Sequence, residues 1–190
     1  MLTAARVIET RNRRVLPGAR RAAVLVPFID DGDPRILLTR RTDTLSTHKG
    51  QVAFPGGKID PEDEDEVAAA LREAHEEVGL PRDSARILGK LDDFPTVGGE
   101  MIVTPVVARL PTLPPLTPNP AEVARIFTIP LAALRQRERW REKDVFFRGR
   151  EWPVFYFDHD GETLWGLSAY ITLHLLSMTS GGAPLEIPAR

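Results

Sequence analysis

The stretch Asp63 to Val78 constrains this chain more than any other, because its residue pattern suits a helix with one buried side. At about 100° per residue, Val67, Ala70, Leu71, Ala74 and Val78 share a face, so the segment is predicted to be a helix packed on a sheet. Gly79 stops it and Pro81 forbids its continuation. Glu73 and Glu77 are four residues apart and stack one turn above the other; Glu76 flanks them, and Glu66 extends the stripe towards the N-terminus. Like charges at this spacing cost roughly a few tenths of a kcal/mol per pair, and the helix dipole disfavours anions in the last turn.

A divalent cation offsets that repulsion, and hard carboxylate oxygens suit Mg²⁺ or Mn²⁺. The competing interpretation is a solvated acidic face with Arg72 paired to Glu76. The glycine turn Gly56-Gly57 upstream and Gly79 downstream favour the metal, since glycine permits close approach of the backbone to an ion or a phosphate. Asp60, Glu62, Asp63, Glu64 and Asp65 suit a helix N-terminus electrostatically, with Asp63 and Glu66 spaced as a capping box.

Around this helix the elements come in mixed order. Arg21 to Ile29 and Arg35 to Thr39 are predicted to form a hairpin across Asp30 to Pro34, and Gln51 to Phe54 a short strand. Ile87 to Phe94 and Met101 to Leu110 are two further predicted strands. The segment Pro111 to Pro120 holds five prolines and is predicted to be a surface loop. Glu122 to Ile129 is a predicted strand and Leu131 to Glu142 a predicted helix. Val145 to Arg148 and Val154 to Phe157 are expected to pair as a hairpin around Arg150, and Thr163 to Met178 to close the fold as a helix. This order predicts an α+β architecture with helices covering a mixed sheet. One domain is expected over residues 1–190, with an N-terminal arm over 1–20 and a tail over 180–190.

At 190 residues, with 42% hydrophobic and 27% charged residues, the composition is that of a soluble globular chain. The absence of cysteine excludes disulfides, thiolate zinc sites and a cysteine nucleophile. A net charge of −2 gives no drive towards nucleic acid or anionic membrane, and no apolar run reaches the ~18–20 residues that span a bilayer. A cytoplasmic location is expected, with the protein a monomer or homodimer.

Gly57 followed by Arg72-Glu73-Ala74-His75-Glu76-Glu77-Val78-Gly79-Leu80 resembles the Nudix box. The C-terminal half matches at every specified position. Between Gly57 and Glu64 the loop is one residue longer than the family pattern. Upstream, Leu37-Leu38-Thr39-Arg40-Arg41 and Gly50 to Gly57 resemble the additional signature of coenzyme A diphosphatases, with Thr42 and Ser46 where that signature has Ser or Ala and an arginine. His48-Lys49 is a candidate replacement for the missing arginine. Asn119 to Val123 and Trp165-Gly166 are similar to weaker features of the same subgroup. The resemblance implies a mixed sheet sandwiched between helices over a box of about 57–80. It also implies hydrolysis of a nucleoside diphosphate linked to a second group.

On this basis Glu73 and Glu77 are expected to be the main Mg²⁺ (or Mn²⁺) ligands, with Glu76 as third ligand or base and Gly57 contributing from the turn. The ion would neutralise the diphosphate and lower the pKa of an attacking water, and phosphoryl chemistry needs no protein nucleophile. Arg72 is expected to orient the glutamates. Glu76, Glu100 and Glu122 are the candidate bases. Arg40 and Arg41 point to opposite faces of a strand, so one of them is expected to reach phosphate. Lys49 and Gly56 are further candidate substrate contacts, and Phe54 stands for the aromatics that can stack on an adenine. His75 and His48 are expected to be bystanders. Coenzyme A is the leading substrate. The alternatives are ADP-ribose, a dinucleotide or an oxidised nucleoside triphosphate, or a catalytically silent nucleotide-sensing module.

Overall fold

A computed structural model describes residues 12–44, 48–147 and 149–179. Ser46, the arm up to residue 11 and the tail 180–190 lie outside the described residues. The chain runs β1 (Arg20–Ile29), β2 (Arg35–Arg41), β3 (Val52–Ala53), β4 (Gly56–Lys58), α1 (Glu66–Val78), β5 (Arg86–Lys90), β6 (Phe94–Pro95) and β7 (Met101–Leu110). It continues with β8 (Val123–Pro130), α2 (Leu131–Leu134), β9 (Trp140–Phe147), β10 (Arg150–His159), β11 (Glu162–Trp165) and α3 (Gly166–Thr179).

The larger sheet has the order β3-β2-β1-β7-β5, with β4 paired to β1, β6 to β7 and β8 to β2. Strands β1 and β7 pair in parallel over ten residues, from Arg20 opposite Met101 to Ile29 opposite Leu110, while the other pairings are antiparallel. The sheet is therefore mixed, as expected. Alternate residues of β1 serve two cores, because successive strand residues face opposite sides. Ala23 and Leu25 join Ala70, Ala74 and Val78 of α1 on one side. Val26 and Phe28 join Ile171 and Leu175 of α3 on the other, together with Phe157 of β10. The strands β11-β10-β9 form a second, antiparallel sheet on that α3 side.

Three expectations are corrected. Helix α1 starts at Glu66, not Asp63, because Asp65 is the cap: its Oδ1 accepts from the Val67 and Ala68 N–H groups, each at 2.9 Å. The predicted helix Leu131 to Glu142 ends at Leu134. The Trp140 indole N–H takes the Leu134 carbonyl at 2.8 Å, the acceptor a continuing helix needs, and the Trp140 ring packs on Phe157. The chain then makes a 3₁₀ turn over Arg137–Arg139 and a β9-β10 hairpin longer than predicted. The final helix starts at Gly166 rather than Thr163. Thr163, Leu164 and Trp165 pair with β10, and Trp165 stacks on Tyr156.

Candidate active site

Helix α1 sets the floor of the site. Its Arg72 is the hub. Nε and Nη2 donate to the two carboxylate oxygens of Asp63 at 3.0 and 2.9 Å, and Nη2 also donates to the Lys58 carbonyl. Nη1 donates to Glu73 Oε1 at 3.0 Å and to Glu76 Oε2 at 3.2 Å. The fork thus ties the β4-α1 loop to the helix and holds one oxygen of the Glu73 carboxylate. Asp63 chiefly, with Glu73, holds the Arg72 guanidinium above its usual pKa, and Arg72 in turn holds Asp63 below the usual carboxylate range.

The glycine turn forms the opposite wall. Gly56 and Gly57 pair with Val24 and Ala23 of β1. A Cβ on Gly56 would lie 2.4 Å from the Ala23 carbonyl oxygen, and one on Gly57 would lie 2.5 Å from the Glu73 carboxyl carbon. Only glycine lets this backbone approach both the sheet and the helix carboxylate. The Gly56 N–H donates to Glu77 Oε2 at 3.2 Å, and Arg41 Nη1 stands 3.6 Å from Glu77 Oε1. The buried Arg41 Nε has no hydrogen-bond partner.

Glu77 is 3% exposed. Burial pushes its carboxyl up to about 7, against the pull of the Gly56 amide and Arg41, and Glu122 and Glu73 add to the rise. Glu73 is also raised, first by burial, with Arg72 opposing and Glu76 and Glu122 adding repulsion. Glu122 therefore adds repulsion to both helix carboxylates, although it is distant from the helix in sequence. Among the described residues no three acidic or imidazole side chains close into a finished ligand shell. The donor set nevertheless fits a hard divalent cation. Carboxylates crowd beside a side-chain-free turn, and burial and mutual repulsion lift the pKa values of Glu73 and Glu77, both of which a cation reverses.

Of the residues singled out from the sequence, the fold brings together Arg41, Gly56, Gly57, Arg72, Glu73, Glu77 and Glu122. Glu76 turns outward, 52% exposed at its side chain and held by Arg72. Glu66 is bound by Lys90 at 2.6 Å and by Arg21 at 3.4 Å, so its place in the stripe is structural. Arg40 points to the other face, to Asp43 at 2.9 Å and Glu162 at 3.7 Å. Lys49 lies in an exposed turn, Phe54 is a core residue at 3% exposure, and Glu64 and Glu100 are exposed in loops. His75 Nδ1 bonds the Leu80 carbonyl at 3.2 Å, and His48 bonds Gln51. Sequence reasoning missed Asp63 as the partner of Arg72, because five acids in six residues gave several equivalent candidates.

Residues 19–149 match the NUDIX domain. The chain belongs to the Nudix hydrolase family. This Nudix hydrolase is 44% identical over 165 residues to the uncharacterized Nudix hydrolase NudL of Photorhabdus laumondii subsp. laumondii, covering 87% of each chain. It is 43% identical over 161 residues to the corresponding NudL of Yersinia pestis, covering 85% of this chain and 80% of that one. Among solved structures it resembles RenU, a Nudix hydrolase from M. smegmatis, with 27% identity and a TM-score of 0.52 over 63% of this chain and 75% of that one. It shares its fold with the NUDIX domain of Shewanella oneidensis NrtR, at 21% identity and a TM-score of 0.50, over 64% of this chain and 79% of that one. The Nudix hydrolase is thus an enzyme of diphosphate bonds.

Proposed function

We propose that this Nudix hydrolase cleaves the diphosphate of coenzyme A with water, giving 4′-phosphopantetheine and adenosine 3′,5′-bisphosphate, with Mg²⁺ or Mn²⁺ as cofactor. The observation that supports the hydrolytic part is the pair of helix carboxylates, Glu73 and Glu77, set against Gly56-Gly57 with Arg41 beside Glu77. Coenzyme A is supported by the resemblance of Leu37 to Arg41 and Gly50 to Gly57 to the subgroup signature. Those residues form β2 and the β3-β4 turn, the strands that deliver Arg41 and Gly56.

Glu73 and Glu77 are the ligands we assign; Glu76, turned outward onto Arg72, is left as an outlying third ligand. When bound, the cation screens the diphosphate charge and acidifies the attacking water. Arg41 binds a phosphate oxygen through its guanidinium. Glu122 accepts the proton of the attacking water, facing the two helix carboxylates from another element. Arg72 keeps Glu73 aimed. Lys49 lies in an exposed turn and is proposed as a secondary substrate contact, while Arg40 on the other face and Phe54 in the core are not assigned to substrate. Residues 1–190 are proposed to act as one domain in the cytoplasm. Among the described residues no helix is long and apolar enough to cross a membrane.

The test is incubation with coenzyme A, ADP-ribose, a dinucleotide and an oxidised nucleoside triphosphate, each with Mg²⁺ or Mn²⁺, and chromatographic resolution of products. A clear preference for coenzyme A is expected. Preferred cleavage of ADP-ribose would overturn the substrate, and turnover of none would overturn the catalytic assignment.

A further inference from the structure

Glu122 lies some forty residues beyond the box yet repels both Glu73 and Glu77, so something must hold it near them. The segment before it is pinned to α1. The Thr117 N–H donates to the Val78 carbonyl at 2.9 Å and the Asn119 N–H to the Glu77 carbonyl at 2.8 Å, so the proline-rich loop caps the C-terminal end of the helix. Asn119 then organises the turn that ends at Glu122. Its carbonyl accepts from the Glu122 and Val123 N–H groups at 3.0 and 2.8 Å, and its side-chain Oδ1 accepts from the Ala121 N–H at 3.1 Å. Pro120, the next residue, has the φ that such a turn requires at its second position. From the other side, the Thr42 N–H donates to the Glu122 carbonyl at 2.9 Å and Thr42 Oγ1 donates to the Ala121 carbonyl at 3.3 Å.

We propose that Asn119 is a positioning residue, whose side-chain-stabilised turn, clamped between the end of α1 and Thr42, fixes Glu122 against Glu73 and Glu77. The inference rests on the hydrolytic reading of the site and on Glu122 taking part in it. The backbone bonds of Asn119 survive truncation of its side chain, so the side-chain bond is the part that can be removed alone. Asn119→Ala loses the acceptor for Ala121, whereas Asn119→Asp keeps it. The turn then relaxes by less than unfolding but by enough to move a carboxylate that must act at hydrogen-bond distance.

The experiment is a double-mutant cycle with whichever diphosphate the wild type turns over. Asn119→Ala should lower kcat roughly five- to tenfold with KM little changed, and Asn119→Asp should restore most of it. Glu122→Gln should lower kcat about a hundredfold or more, and adding Asn119→Ala to it should cost nothing further, because the group being positioned is already gone. A loss from Asn119→Ala of equal size with and without Glu122 would overturn the positioning role while leaving the hydrolase intact. An Asn119→Ala variant with wild-type kcat, or a Glu122→Gln variant with wild-type kcat, would overturn it as well. A wild type that cleaves no diphosphate would bring down the hydrolytic reading, and this inference with it.

Discussion

Glu77 pairs a 3% exposed carboxyl with only one backbone donor and one arginine at 3.6 Å. Its ordinary value of 4.5 rises to about 7 on folding, so the native state binds this proton more tightly than the unfolded chain does. Below the unfolded value both states are protonated and the group is neutral to stability. Above the folded value both are ionised, and folding carries the burial of the charge, about 3 kcal/mol. Stability from this group therefore falls as pH rises from about 4.5 to about 7. In chelator, the wild type should lose up to about 3 kcal/mol relative to Glu77→Gln across that window, read by urea denaturation at several pH values; a constant difference would refute the assignment. At Gly57, alanine would place a methyl 2.5 Å from the Glu73 carboxyl carbon. Gly57→Ala should depress turnover at least tenfold by displacing that carboxylate. Glu73→Gln should abolish turnover with the circular dichroism spectrum unchanged.

At the scale of elements, Asp65 and not Asp63 begins α1, so Asp65→Ala should cost about 1 kcal/mol in a chemical melt. Asp63→Ala should instead show its effect in kcat, by freeing Arg72 from the loop. The periodicity of Val67, Ala70, Leu71, Ala74 and Val78 made α1 legible, because burial of one face dominates a helix of that length. The cap was not legible, since adjacent aspartates are equivalent until tertiary contacts choose between them. Leu131 to Glu142 misled for a related reason. Its alternation of arginine and glutamate suits an exposed helix, but Trp140 is drawn into the core beside Phe157, and β9 pairs with β10 from that point. The prolines of Pro111 to Pro120 marked a surface loop, yet nothing local told that it abuts the helix end.

Across the whole molecule, binding of the cation to the folded state alone should raise stability by about 2.7 kcal/mol at a hundredfold excess over Kd. A thermal scan with and without Mg²⁺ should show that rise in the wild type and little of it in Glu73→Gln. Arg72, Glu73 and Glu77 could be placed together from the sequence because they lie on one helix at fixed spacing, whereas Arg41 and Glu122 were each one of several candidates. Arg41 and Glu122 enter only through the sheet, since β2 pairs with β8 and Thr42 with Glu122. The parallel ladder of β1 with β7 has its own consequence during synthesis. Arg20 waits for Met101, roughly eighty residues later, before the central seam can close. Helix α1 leaves the ribosome inside that interval with its alanine-rich side uncovered, so competence for chemistry arises late, when the second half of the seam is delivered, and slow translation before Leu110 would prolong a sticky nascent intermediate.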